Sequence, residues 1–138
     1  MLRMRPRMQV SLVPITDVDQ IWSQLVPFIK RGLEATDDET CTLGEAWVKC
    51  RGGYAFILIA HEDNEIYMAS IWETLGDDFH CLTLSGKNMK LWYRMTQKKV
   101  FEMSRMCGAK KLTAMGRDGW ARRFGPKTNT GQYEVLLP

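Results

Sequence analysis

Few side chains in this sequence can move protons, attack a carbonyl or hold an anion, and their spacing narrows the choice further. His61 and His80 are the only histidines, and the four cysteines, Cys41, Cys50, Cys81 and Cys107, lie far apart with no CxxC pair. A structural zinc ion needs four such ligands converging. The pattern therefore predicts no metal site and four reduced thiols, several packed in the core. Neither histidine stands in a pattern that pairs it with Cys81 as a nucleophile, so Cys81 is expected to be buried and inert. Cations offer more. Lys87, Lys90 and Arg94 follow the stretch Leu82-Thr83-Leu84-Ser85-Gly86, where an apolar strand gives way to a helical pattern. A helix start presents unpaired N–H donors and a positive dipole end, so this junction has the makings of an anion site.

Charge distribution agrees with an anionic partner for the C-terminal half. The net charge is +3, but residues 11–86 carry 4 basic and 13 acidic side chains, whereas residues 87–127 carry 12 basic and 2 acidic. Nucleic acid, the phosphates of a nucleotide cofactor and an acidic protein would each suit the basic half. Mutual neutralisation of the two halves across the fold explains the split equally well. Arg117, Trp120, Arg122 and Arg123 present guanidinium and indole groups in one short segment that would suit a partner or a nucleic-acid backbone. A helix packed through Trp120 with solvated arginines is the preferred reading.

These residues must be positioned by a fold, and 138 residues with 45% hydrophobic and 25% charged side chains suffice for a single domain spanning 1–138. No apolar run approaches the ~20 residues that cross a bilayer. The basic start, MLRMRPRMQV, lacks the apolar stretch of a secretory signal, and a cytosolic location follows by default. Gln9 to Ile15 reads as a strand. Thr16 reads as the N-cap of an amphipathic helix built on Val18, Ile21, Trp22, Leu25, Ile29 and Leu33, which Pro27 should bend or split near Val26. Asp37-Asp38-Glu39 is a loop. Thr42 and Glu45 have capping-box spacing for a second helix, stopped by Gly52-Gly53.

Three strands with short turns follow, Tyr54 to His61, Ile66 to Thr74 and Phe79 to Leu84, forming an antiparallel meander. The long helix spans Met89 to Cys107, with Met89, Trp92, Tyr93, Thr96, Val100, Met103 and Cys107 inward and Lys90, Arg94, Lys98 and Arg105 on another face. Lys110 to Met115 is a strand, Trp120 to Phe124 a short helix, and Tyr133 to Leu137 a closing strand. The order β, α, α, β, β, β, α, β, short α, β predicts an α+β fold, a twisted mixed sheet with helices on both faces.

That order resembles the GCN5-related N-acetyltransferase family over nearly the whole chain. The resemblance implies acetyl-coenzyme A bound where the fourth strand splays from the fifth, with its pyrophosphate at the start of the long helix. The implied cofactor-binding residues are Leu82, Leu84, Ser85, Gly86, Lys87, Asn88, Met89, Lys90 and Arg94. The family's Gln/Arg-x-x-Gly-x-Gly/Ala loop is replaced here by Ser85, Asn88 and Lys90 at its three marked positions. Asn88 can adopt the left-handed backbone that glycine serves, whereas Lys90 places a long side chain where backbone should approach phosphate. SGKNMKLW, the basic helix after it, KKLTAMGRDGWARRFGP and the closing YEVL are similar to small acetyltransferase-like proteins encoded by tailed bacteriophages.

Acetylation of an amine requires the attacking nitrogen to be neutral, so a base must take a proton. Glu73 and His80 are the candidate bases, and Tyr93 or Tyr133 could protonate the departing thiolate. A structural histidine, a strand-end glutamate and core-packed tyrosines with a wet hydroxyl are the competing descriptions. Two functions from different classes follow. One is acetyl-coenzyme A-dependent acetylation of a small-molecule or protein amine. The other is a catalytically silent module for virion assembly or host interaction, with a phage or host protein as partner. Nucleic-acid binding through helix 89–107 is less favoured, because aromatic residues are not interleaved along its basic face. No membrane association is expected, and a phage-encoded protein would act in the host cytoplasm or the virion.

Overall fold

The computed structural model describes residues 7–35, 41–114 and 133–136. Strand β1 (Gln9–Leu12) is followed by a 3-10 turn (Ile15–Asp17), helices α1 (Val18–Ala35) and α2 (Leu43–Arg51), and strands β2 (Phe56–Glu62), β3 (Glu65–Leu75) and β4 (Asp78–Gly86). A second 3-10 turn (Met89–Leu91), helix α3 (Tyr93–Met106) and strands β5 (Lys111–Ala114) and β6 (Tyr133–Leu136) complete the described chain. The strands form one sheet in the order β1-β2-β3-β4-β5-β6. All neighbours are antiparallel except β4 and β5, which are parallel and joined through α3. This is the expected mixed α+β sheet, with its β2–β3–β4 meander and a helical crossover.

Local chemistry explains the elements. Thr42 caps α2 by accepting from the Glu45 N–H at 3.1 Å, and Gly53 after its end takes the left-handed backbone (φ +81). Two-residue turns at Asp63-Asn64 and Gly76-Asp77 set the meander's register, with Asp63 and Gly76 both at positive φ. Three expectations need correction. Thr16 does not cap α1, because a 3-10 turn closed by Asp17 N–H to Pro14 O (2.9 Å) precedes the helix. Pro27 also does not split α1, which runs continuously from Val18 to Ala35. Pro27 and Ser23, whose carbonyl it leaves without a helical donor, are both exposed, so water can satisfy that oxygen. Finally, the long helix begins at Tyr93 rather than Met89. The segment from Trp120 to Phe124 lies outside the described residues.

The sheet is covered on both faces. On one, α1 and α2 pack Leu25, Ile29, Ala46 and Cys50 against Ile57, Ile59, Ala69, Ile71 and Leu82. On the other, Val100 and Met103 of α3 pack against Leu58, Trp72, Phe79, Cys81 and Leu112. The Trp72 and Phe79 rings stack there with centroids 5.5 Å apart. Alternation along β4 is broken once. Ile71 faces Thr83 but Trp72 faces Cys81, so Leu82 is an extra residue on β4, a β-bulge. Leu82 joins the α1/α2 cluster and Thr83 lies against Gly32 of α1, so two successive side chains turn to the same face.

Candidate functional site

The bulge at Leu82 directly follows the last described pair of β4 with β5. Their parallel pairing runs from Asp78↔Lys111 to Cys81↔Ala114 among the described residues, while β4 continues to Gly86. Bulges end pairing and re-aim side chains, and they concentrate beside active sites. One row below, on the α1/α2 side, the register aligns Glu73, His80 and Thr113 across β3, β4 and β5. Glu73 is 7% exposed and His80 5%. His80 Nδ1 lies 2.7 Å from Thr113 Oγ1. Lys49 of α2 donates from Nζ to Glu73 Oε2 at 3.0 Å, and this bond raises the Lys49 pKa above its ordinary value. The two bases named from sequence are therefore brought side by side. Tyr133 is the first described residue of β6 and lies in register with Ala114; its side chain lies outside the described residues. Tyr93 is half-buried at the start of α3.

Beyond β4 the chain forms a tight loop. A Cβ on Gly86 would meet Tyr67 O at 2.5 Å and both Met68 Cβ and Trp92 Cζ2 at 2.8 Å, so only glycine fits there. Lys87 N–H donates to Tyr67 O at 2.8 Å. Asn88 takes the left-handed conformation (φ 54, ψ 49), as the sequence comparison with glycine anticipated. Trp92, 2% exposed, donates from Nε1 to Lys87 O at 2.8 Å. This buried indole explains why a 3-10 turn, and not the α-helix itself, receives the loop.

The predicted cofactor residues divide accordingly. Leu82 sits at the bulge, Ser85 is buried, and Leu84 packs toward α3. Met89 is half-buried, and Lys90 and Arg94 project into solvent. Lys87 is engaged: its Nζ donates to Glu65 Oε1 at 2.7 Å and lies 5.1 Å from the Tyr67 ring centroid. Tyr67 Oη donates to the other Glu65 oxygen at 3.1 Å. The Lys87 bond holds the Glu65 carboxyl below its usual range, and Glu65 in turn raises the pKa of Lys87 and Tyr67. Among the described residues no backbone acceptor engages the N–H groups of Asn88, Met89 and Lys90. Those donors, with Lys90 and Arg94, fit a diphosphate group.

Burial pushes the Cys81 thiol up to about 12, which fits the expected inert cysteine. Among the described residues no cluster of three His, Cys, Asp or Glu could hold a metal ion, and no helix is long and apolar enough to cross a membrane. Sequence reasoning missed Lys49, Thr113 and the Glu65–Tyr67 pair. The Glu73–His80 alignment had a usable signal, since a two-residue turn at Gly76-Asp77 places residue 73 opposite residue 80.

This topology, with its bulged fourth strand paired in parallel with the fifth across a helical crossover, defines a protein with the GCN5-related N-acetyltransferase fold. Among solved structures the chain is similar to an agmatine N-acetyltransferase (TM-score 0.64, 11% identity, covering 94% of this chain and 99% of that one). It is similar also to a GNAT-family acetyltransferase from Brucella melitensis in complex with acetyl-CoA (TM-score 0.62, 18% identity, covering 97% and 90%). A third is the Salmonella typhimurium acetyl transferase that modifies the N-terminal serine of a ribosomal-subunit protein (TM-score 0.60, 14% identity, covering 96% and 96%). Neither a protein-family model nor a curated protein sequence matches the chain.

Proposed function

We propose that this protein is an acetyl-CoA-dependent N-acetyltransferase acting on an amine. The observation that carries the reading is the pair Glu73 and His80, buried one row below the bulge in β4. Acetyl-CoA supplies an activated thioester. Asn88, Met89, Lys90 and Arg94 would hold its phosphates, with Leu82, Leu84, Ser85, Gly86 and Lys87 around the rest of its path. The acceptor nitrogen loses its proton toward Glu73 or His80 and attacks the thioester carbonyl. A C–N bond forms, the C–S bond breaks, and the departing thiolate takes a proton, for which Tyr133 is the proposed donor. Structural neighbours named for agmatine and for a protein N-terminus support an amine acceptor of either size. The phage origin, and with it action in the host cytoplasm or the virion, rests on the sequence resemblance alone.

The test is release of free coenzyme A thiol from acetyl-CoA in the presence of a panel of primary amines. Glu73→Gln and His80→Ala should each lower the rate by about 10²-fold if that residue is the base. Turnover unchanged in both would remove these residues from the chemistry. One observation favours a second reading, a catalytically silent module that binds a phage or host protein: the loop cation Lys87 is already spent on Glu65. Folded protein without turnover or acetyl-CoA binding would establish that alternative. Nucleic-acid binding draws only on exposed Lys90 of the 3-10 turn and on Arg94, Lys98 and Arg105 of α3.

A further inference from the structure

The Lys49–Glu73 ion pair is the contact at the candidate site that acetyl transfer does not explain. Glu73 is 7% exposed at the foot of the bulge, and a carboxylate so far withdrawn from water needs a cation beside it. The cation present is a primary ammonium, 3.0 Å from Oε2. It comes from α2 rather than from the sheet, and the Lys49 side chain is 38% exposed, so it reaches Glu73 from the solvent side. An acceptor amine seeking Glu73 or the neighbouring His80 must travel toward the carboxylate that this ammonium already holds through Oε2. Two ammonium groups beside one largely buried carboxylate repel each other, so a second one binds well only as the first is displaced.

The geometry points to Lys49 as an intramolecular occupant of a primary-ammonium site built on Glu73, which an incoming acceptor must displace. Calling the incoming group an acceptor rests on the acetyltransferase reading, whereas the ammonium site itself does not. The chemistry selects the ligand class. A primary ammonium offers several N–H donors on a compact head, while a quaternary ammonium offers none.

Lys49→Ala removes the occupant and leaves a site that propylammonium can fill, because that ion supplies the carbons and the charge alanine lacks. Without acetyl-CoA, propylammonium at about ten times its dissociation constant should raise the melting midpoint of Lys49→Ala by about 5 °C. Tetramethylammonium at equal ionic strength should not. The double variant Lys49→Ala/Glu73→Gln should show no response. Equal effects of the two ions, or rescue that persists in the double variant, would overturn the proposal. Should Lys49→Ala fail to fold, the unaltered protein provides the same decision. Its Lys49 Cε resonance should move on titration with propylammonium and stay still with tetramethylammonium, and a resonance unmoved by either ion refutes displacement. The acetyltransferase reading fails separately, by absence of acetyl-CoA binding. If it holds, Lys49→Ala should also lower the KM for small primary amines.

Discussion

Gly32→Ala should destabilise the protein although alanine is the better helix former. Gly32 is buried on α1, and a Cβ there would run into Thr83 Oγ1, with Thr83 Cβ at 3.3 Å and the Leu84 nitrogen at 3.4 Å. The helix thus touches β4 immediately after the bulge. Thr83 cannot swing away freely, because one alternative rotamer puts its methyl in the hydroxyl's place and the other drives both heavy atoms into the packed core around it. Alanine gains up to about 1 kcal/mol of helix propensity at an interior position, while forced overpacking costs about 1–3 kcal/mol. Because this clash is severe, the upper part of that range applies and the expected net loss is about 1–2 kcal/mol, a fall of roughly 3–7 °C in melting midpoint at this chain length. Thr83→Ala should relieve it. Thr83 Oγ1 is buried without a hydrogen-bond partner among the described residues, so losing the hydroxyl is cheap and the double variant should recover most of the loss. Urea denaturation of the four proteins in this cycle measures the coupling. A Gly32→Ala protein at least as stable as the parent would refute this account of how α1 seats the bulge.

Thiol chemistry should separate the cysteines. Cys107 is exposed and should react with an aromatic disulfide in the native state, whereas Cys50 and Cys81, both pushed up to about 12 by burial, should react only after unfolding. At the loop, Lys90→Glu should weaken acetyl-CoA binding more than Lys87→Glu, because Lys87 is held by Glu65; isothermal titration of both variants decides the order. Stability from the Lys49–Glu73 pair has a defined pH window. The Lys49 pKa is raised in the fold, so this contribution is complete below the ordinary value of 10.5 and fades as pH climbs through the raised one. Lys49→Met/Glu73→Gln should lose that part of the alkaline decline, as read from melting midpoints across pH.

Much of the fold was legible because its signals are local. Thr42 caps its helix through a bond three residues long, and Gly76-Asp77 and Asp63-Asn64 fix the hairpins by backbone conformation alone. The inward stripe of the long helix, Trp92, Thr96, Val100 and Met103, follows from periodicity, and these residues are buried. What stayed hidden depends on tertiary context. Cys107 lies past the last turn of α3 and is exposed. The helix start moved from Met89 to Tyr93 because Trp92 is anchored to Lys87 O, a contact that periodicity cannot express. Leu82 reads as one more strand residue, and only pairing with β3 makes it a bulge. Lys49 lies 24 residues from Glu73, so their ion pair exists only once α2 is laid on the sheet.

Thermal melting of the purified protein with and without acetyl-CoA tests the central claim most directly. A ligand held by the loop at residues 85–90 stabilises the native state by about 2.7 kcal/mol at 100 times its dissociation constant, an upward shift of about 10 °C for a chain of this size. Asn88→Asp together with Lys90→Glu, which brings negative charge to the anion site, should abolish the shift while leaving the unliganded midpoint within a few degrees. The account predicts a saturable rise in the parent and none in this variant. A parent protein whose midpoint does not move at any acetyl-CoA concentration would contradict it.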